Sequence, residues 1–195
     1  MQIATPARKD ALRREALQRR GAVSPGVREA FSARLAEQGL AIAQRAGARV
    51  VSVFWPIRDE PDTLPLIEAL AAHSFRAALP VTVSRAAPLA FRQWRPGDPT
   101  VPGAMKIPEP LASAEALEPD LLFVPLACFD RRGHRIGYGA GHYDRTLAGL
   151  RAARSTMAVG IAYSAAEAPE IPDEAHDQRL DFILTERELI DCRGG

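Results

Sequence analysis

The chain has almost no cysteine. Its two, Cys128 and Cys192, stand in an apolar run and near the C-terminus, spaced for neither a disulfide framework nor a zinc site. A reducing compartment is therefore the default. Charge of one sign is also missing. The formal net charge is +1, whereas a general nucleic-acid binder carries a basic surplus or a basic face. No uncharged apolar run is long enough to span a bilayer, and no apolar signal segment follows Arg8, Lys9 and Asp10. These absences lead us to expect a cytoplasmic monomer with a small-molecule partner, no nucleic acid and no membrane. What remains is 195 residues at 47% hydrophobic, enough to bury the core of one domain, residues 1–195.

Local patterns predict the elements. Helix formers dominate from about residue 6 to 20, with Leu12 and Ala16 on an apolar side and Lys9, Arg13 and Arg20 projecting elsewhere. Ser24-Pro25 reads as an N-cap and first helical residue, opening a second helix to about Ala46 that carries Phe31 and Leu35. The run from Val50 to Trp55 is a buried strand by composition. Asp62 or Thr63 caps a helix carrying Leu66, Ile67 and Leu70. Strands are expected at 77–83 and 89–94, and the Pro- and Gly-rich stretch from Arg95 to Pro110 is expected to be irregular. Leu121 to Pro125 and Met157 to Tyr163 are further strands, and Leu180 to Leu184 the last one. Strands alternating with helices predict an α/β fold, a three-layer αβα sandwich on a largely parallel sheet.

Gly137, Gly139 and Gly141 follow a buried strand and precede a helix. Glycines let a backbone approach a ligand closely, and amide N–H groups at a helix start form an anion site. The Gly-Lys-Ser or Gly-Lys-Thr of a phosphate-binding loop is absent, and the turn stands some ten residues beyond the strand, too far for a dinucleotide fingerprint. Arg131, Arg132, Arg135 and Arg145 concentrate positive charge around it, and Tyr138, His142 and Tyr143 add rings. Arginine suits bidentate phosphate contact.

The residues from Val124 to Asp130 and from Gly133 to Arg145 together resemble the signature of the 5-formyltetrahydrofolate cyclo-ligase family. Lys9 with Leu12-Arg13 is similar to its N-terminal basic motif, Trp55-Pro56 with Glu60-Pro61-Asp62-Thr63 to its segment after the first strand, and His176-Asp177 with Leu180-Asp181 to its C-terminal motif. The resemblance implies an enzyme that uses ATP and Mg²⁺ to close 5-formyltetrahydrofolate, with or without a polyglutamate tail, into 5,10-methenyltetrahydrofolate. ADP and phosphate are released by way of a phosphorylated formyl oxygen. It places ATP on Lys9, Arg13, Arg135, Gly137, Tyr138, Gly139, Ala140, Gly141, His142 and Tyr143. It places the folate on Trp55 and Glu60 with Tyr138, Gly139, Ala140, Gly141 and His142. Arg135 and Arg145 are the catalytic candidates, and Asp144 and Asp177 the metal ligands.

Each position also has a plainer reading. Lys9 and Arg13, four apart, share a helix face that solvent alone would satisfy. Glu60 fits an ordinary turn, and Trp55 fits the core. Asp144 fits an ion pair with Arg145, and Asp177 one with Arg179. His176 fits a structural hydrogen bond. Ala140, His142 and Ala166 depart from the family pattern, where many relatives carry Gly or Lys, Tyr, and Gln. A different ATP-dependent enzyme on this scaffold, or a binding-only regulator, are the competing functions.

Overall fold

The computed structural model describes residues 5–194. Two helices open it, α1 over Thr5–Gly21 and α2 over Pro25–Arg45. Ser24 is the N-cap of α2, and Pro25 supplies the first helical position, where its missing N–H leaves no bond unmade. β1 (Val50–Ser52), α3 (Leu64–Ala72), β2 (Arg76–Val81) and β3 (Ala90–Gln93) follow. Next come β4 (Thr100–Pro102), β5 (Pro108–Pro110), β6 (Ala116–Leu117) and β7 (Leu121–Pro125). β8 (Cys128–Phe129) and β9 (Arg135–Ile136) lead to α4 (His142–Ala153). β10 (Met157–Ile161), β11 (Phe182–Leu184) and β12 (Leu189–Asp191) complete the order.

Eight strands form one sheet in the order β12-β11-β10-β7-β1-β2-β3-β6. The five from β11 to β2 are mutually parallel, β12 on one side and β3 on the other run against them, and β6, antiparallel to β3, again runs with the five. This is the expected α/β sandwich. β7 shows what drives it. Leu121 and Phe123 face one core and Leu122 and Val124 the other, all fully buried, and a strand covered on both faces reads as an unbroken apolar run. α2 and α3 cover the first face through Phe31, Leu35, Leu66 and Leu70. α4 covers the second through Leu147. Truncating Leu121 or Leu122 to Ala is expected to cost about 2–5 kcal/mol. α1 joins neither layer. Its Ala16 and Leu12 pack in a smaller cluster with Cys128, Ile136, Ala168 and Ile171.

From β1 the chain steps one way across the sheet to β2, and from β7 the other way to β10 and β11. β1 and β7 are neighbours, so the strand order reverses between them. Ligands of open α/β sheets bind beyond the carboxyl ends of the strands at such a reversal. The loops leaving β1 and β7 carry Glu60 and the glycine triplet.

Three local expectations need correction, and one is made more specific. The run from Val50 is strand only to Ser52, because the chain turns away while keeping Val53 and Phe54 buried. Thr63 is the N-cap position of α3, but its hydroxyl donates to the Phe54 carbonyl at 2.6 Å, and it is Asp62 Oδ1 that accepts the Leu64 N–H at 3.0 Å. The stretch from Arg95 to Pro110 contains the antiparallel pair β4–β5. The sheet continues past Leu184, since β12 pairs antiparallel with β11. Among the described residues no helix is long and apolar enough to cross a membrane.

Candidate active site

The chain leaving β7 folds back as the β8–β9 hairpin and then enters the glycine loop at the start of α4. Gly139 at φ +95° and Gly141 at φ +67° hold left-handed backbone that a side chain would strain. Gly141 is the N-cap, so the unpaired amides and the positive end of the α4 dipole face this turn. Two arginines hold the loop from outside. Arg13 Nε donates to the Gly137 carbonyl at 2.7 Å. Arg145 Nη2 donates to the carbonyls of Ala140 at 2.7 Å and Arg85 at 2.9 Å. A Cβ at Gly141 would come within 2.9 Å of the Arg145 guanidinium. The His142 ring Nδ1 lies 3.1 Å from the Ala87 carbonyl.

On one side of this loop lies a buried polar chain. The Tyr138 hydroxyl donates to Glu60 Oε1 at 2.6 Å, and Glu60 Oε2 accepts the Ile57 N–H at 3.0 Å. Arg20 Nη1 donates to the same hydroxyl at 3.0 Å. Burial pushes the Glu60 carboxyl above its ordinary range, against the pull of the Tyr138 and Ile57 bonds and the Arg20 and Arg58 charges. Burial raises Tyr138 as well, with Glu60 adding to it. The Tyr143 hydroxyl is buried with no partner among the described residues, and burial followed by the Glu60 charge drives it up, while Arg135 opposes. Trp55 is half-buried. It meets Trp94 edge to face at 5.4 Å between centroids, so one part of it belongs to the core and another remains accessible.

On the other side lie ion pairs nearer to solvent. Lys9 Nζ donates to Asp177 Oδ2 at 2.7 Å and Glu174 Oε2 at 2.9 Å. Burial alone would lower the Lys9 pKa, but the bonds and charges of the two carboxylates outweigh it and raise it. Asp177 is held below its ordinary value, since its bonds to Lys9 and to the Glu174 N–H outweigh burial. Ligand atoms of Glu174, His176 and Asp177 lie within 4.8 Å of one another. Asp144 Oδ1 accepts from Arg135 Nη2 at 2.8 Å and from the Gln178 N–H at 3.1 Å. Arg135 is almost wholly buried, and its Nη1 donates to the Gln178 carbonyl. Gln178 thus ties the Asp144–Arg135 pair to the segment carrying Asp177.

The structure therefore gathers Lys9, Arg13, Glu60, Arg135, Asp144, Arg145 and Asp177 around residues 137–143. The plainer sequence readings named other partners for the two aspartates. Asp144 pairs with Arg135, and Asp177 with Lys9. Both Arg135 Nη atoms are committed within the protein, which leaves Arg145 as the loop arginine closer to solvent. Arg131 and Arg132 add no charge to the loop. Arg131 is paired with Glu167 and Glu188, and Arg132 with the buried Asp130. Sequence reasoning placed Arg20 away from the core, yet it is 3% exposed. Its spacing was the available signal, because Lys9, Arg13 and Arg20 fall on one helical stripe with Ala16. Lys9 had a signal too. The sequence has only two lysines, Lys9 and Lys106, among 25 basic residues, and a compact, mobile ammonium differs in use from a planar guanidinium. Two open surface grooves of about 320 and 350 Å³ lie elsewhere, bordered by none of these residues.

A doubly wound α/β protein with a glycine turn opening a helix at its strand-order reversal, flanked by a buried carboxylate, has the layout in which open α/β sheets carry small-molecule sites. The chain matches the profile of the 5-formyltetrahydrofolate cyclo-ligase family over residues 5–186, and it belongs to that family of enzymes. It is 33% identical to the 5-formyltetrahydrofolate cyclo-ligase of Mycolicibacterium smegmatis over 193 residues, covering 95% of this chain and 97% of that one. It is also 33% identical to the cyclo-ligase of Escherichia coli over 173 residues, covering 86% and 94%. The NMR structure of Aquifex aeolicus 5,10-methenyltetrahydrofolate synthetase superimposes with a TM-score of 0.79 at 27% identity, covering 96% of this chain and 94% of that one.

Proposed function

We propose that the protein converts 5-formyltetrahydrofolate and ATP into 5,10-methenyltetrahydrofolate, ADP and phosphate, with Mg²⁺. One observation carries this reading. Adjacent residues of one loop serve both sides of the site, since Arg13 reaches the Gly137 carbonyl at 2.7 Å while the Tyr138 hydroxyl reaches Glu60 at 2.6 Å. A polyphosphate laid along the loop would meet Arg13, Arg145 and the α4 amides. A heterocycle at Glu60 would then sit within reach of its terminal group.

The chemistry needs that closeness. The formyl carbonyl on N5 is amide-like and a poor electrophile. Its oxygen attacks the terminal phosphorus and ADP leaves. N10 then attacks the activated carbon, phosphate departs with the former formyl oxygen, and N10 gives up its proton. No enzyme nucleophile is required, so the residues position and neutralise. Each Glu60 oxygen already accepts one internal donor and keeps a lone pair for a heterocycle N–H. Lys9, Arg13 and Arg145 face phosphate oxygens. Asp177 and Asp144 offer the hard oxygens that Mg²⁺ prefers, with Glu174 and His176 beside Asp177. Bound there, the ion shields charge on the transferring group. The same reading takes residues 1–195 as one domain, working as a cytoplasmic monomer.

The test is direct turnover. Purified protein, 5-formyltetrahydrofolate, ATP and Mg²⁺ should give the methenyl product, followed by its near-ultraviolet absorbance, and omitting ATP or chelating the metal should abolish it. No product from folded protein would refute the reaction, and calorimetry with ATP and folate separately would then reveal a binding-only protein.

A further inference from the structure

Arg20 is nearly inaccessible, yet it pairs with no carboxylate directly among the described residues. Its guanidinium ends on a hydroxyl, Nη1 donating to Tyr138 at 3.0 Å, and its Nε is buried without a partner. A buried charge carries a large desolvation cost unless it is compensated. The compensating charge here is one bond further on, at Glu60, which accepts the Tyr138 proton at 2.6 Å.

The direction of this chain is fixed by its first member. Arginine has donors and no acceptor. The Tyr138 oxygen must therefore accept from Arg20, and its single proton points to Glu60. Glu60 is in turn forced to accept at Oε1, while the Ile57 N–H at 3.0 Å forces acceptance at Oε2. A carboxyl that accepts at both oxygens can take a proton of its own only on the lone pairs it would otherwise offer to a ligand, and the nearby Arg20 charge disfavours that. We infer that Arg20 is a positioning residue which, through Tyr138, fixes Glu60 as a pure hydrogen-bond acceptor and so restricts the site to heterocycle edges that present N–H donors. This rests on the proposed folate reading for the identity of the heterocycle, but not for the behaviour of Glu60.

The arrangement joins three separate pieces of chain. Arg20 closes α1, Glu60 lies in the loop after β1, and Tyr138 is the middle of the glycine loop. The ionisable groups acting on Glu60 are Arg20 from α1, Tyr138 from the glycine loop, Arg58 from its own loop and Tyr143 from α4. Of the two cations, only Arg20 is buried. Removing it leaves the carboxylate in a low-dielectric site with its strongest charge compensation gone, and lets the Tyr138 hydroxyl rotate.

The experiment compares the parent with R20M, R20K and Y138F. Carboxyl carbons of glutamate are labelled with ¹³C, the Glu60 resonance is assigned by its loss in E60Q, and its titration midpoint is read without ligand. In R20M the midpoint should rise by about one pH unit or more, a tenfold or larger change in proton affinity. R20K, which restores a donor and a charge, should fall between R20M and the parent. Y138F cuts the same chain, so its shift and that of R20M should not add in the double variant. The functional arm follows kcat/KM for 5-formyltetrahydrofolate against pH, where the acid limb of R20M should move up by the same amount while the KM for ATP stays within about twofold. An unchanged midpoint in R20M, or additive shifts in the double variant, would overturn the inference. If R20M does not fold, the R20K and Y138F midpoints decide it, both lying above the parent's if the inference holds. A parent that fails to turn over the folate would refute the proposed reaction alone, since the titration is read without substrate.

Discussion

The two sides of the glycine loop solve opposite problems with the same residue types. On the Glu60 side, charges are buried, separated by a tyrosine hydroxyl and held in one arrangement. On the Lys9 side, charges touch directly and lie closer to water. The Lys9 side chain is 15% exposed against Asp177 at 18% and Glu174 at 43%. A flat heterocycle of modest charge is recognised by where its N–H groups point, and a rigid acceptor reads that. A polyphosphate is recognised by its charge, which a fixed buried cation would meet only at a large desolvation cost. Partly solvated ion pairs can exchange one anionic partner for another at small cost. On the proposed reading, the contrast is between reading shape with a locked network and reading charge with an exchangeable one.

Breaking the locked side should have the largest effect. E60Q keeps the shape but places an amide donor where the Tyr138 hydroxyl or the Ile57 N–H already donates. We expect kcat/KM for the folate to fall about 100-fold, as for loss of a charged, buried hydrogen bond, with the KM for ATP nearly unchanged. Varying each substrate separately checks this, and equal losses for both would erase the distinction between the sides. Next in size is R145A, which removes the loop cation closer to solvent. Turnover at saturation should drop about tenfold or more, and an unchanged kcat would show that Arg145 only buttresses the loop.

K9M should act more mildly, and its effect on stability carries a pH signature. Asp177 is depressed chiefly because Lys9 outweighs burial. Stability from the pair is therefore present above the ordinary aspartate value of 3.8 and is lost as pH falls through the lower, folded value. Lys9 is raised, so its contribution persists up to 10.5 and is lost as pH climbs through the folded value above that. Urea unfolding of parent and K9M should differ by about 1 kcal/mol near neutrality, and the gap should close in acid. A gap that stays constant below the aspartate range would mean the ion pair is not its source. The smallest effect is expected at the cysteines. Burial pushes both the Cys128 and Cys192 thiols up to about 11, so a thiol reagent at neutral pH should label neither in the native protein and leave turnover intact.

Much of the sheet was legible because a strand buried on both faces announces itself. The run from Leu121 to Pro125 is one, and Met157 to Ile161 another. Val53 and Phe54 were misread as strand because burial and β-structure leave the same apolar trace. The β4–β5 hairpin was hidden by its composition. Pro102, Pro108 and Pro110 sit in its strands, and proline is tolerated only in such marginal pairings. β12 is three residues long and follows directly on a tight turn. In the site, the glycine spacing was visible because backbone conformation is local. The partners of Asp144, Asp177 and Arg20 were not, because those are made between segments far apart in the chain. Arginine is also so seldom buried that the surface is its default reading.

The Lys9–Asp177 pair spans 168 positions. Closing a loop of that length carries an entropic cost, and contacts of such long range form late in folding. α1 is synthesised well before the segment that carries Glu174 and Asp177, so its basic stripe must wait for the rest of the chain. On the proposed reading, the half of the site that handles charge is assembled only when these two distant segments meet, so a chain lacking the segment around Asp177 has no Lys9 pair with which to meet a nucleotide.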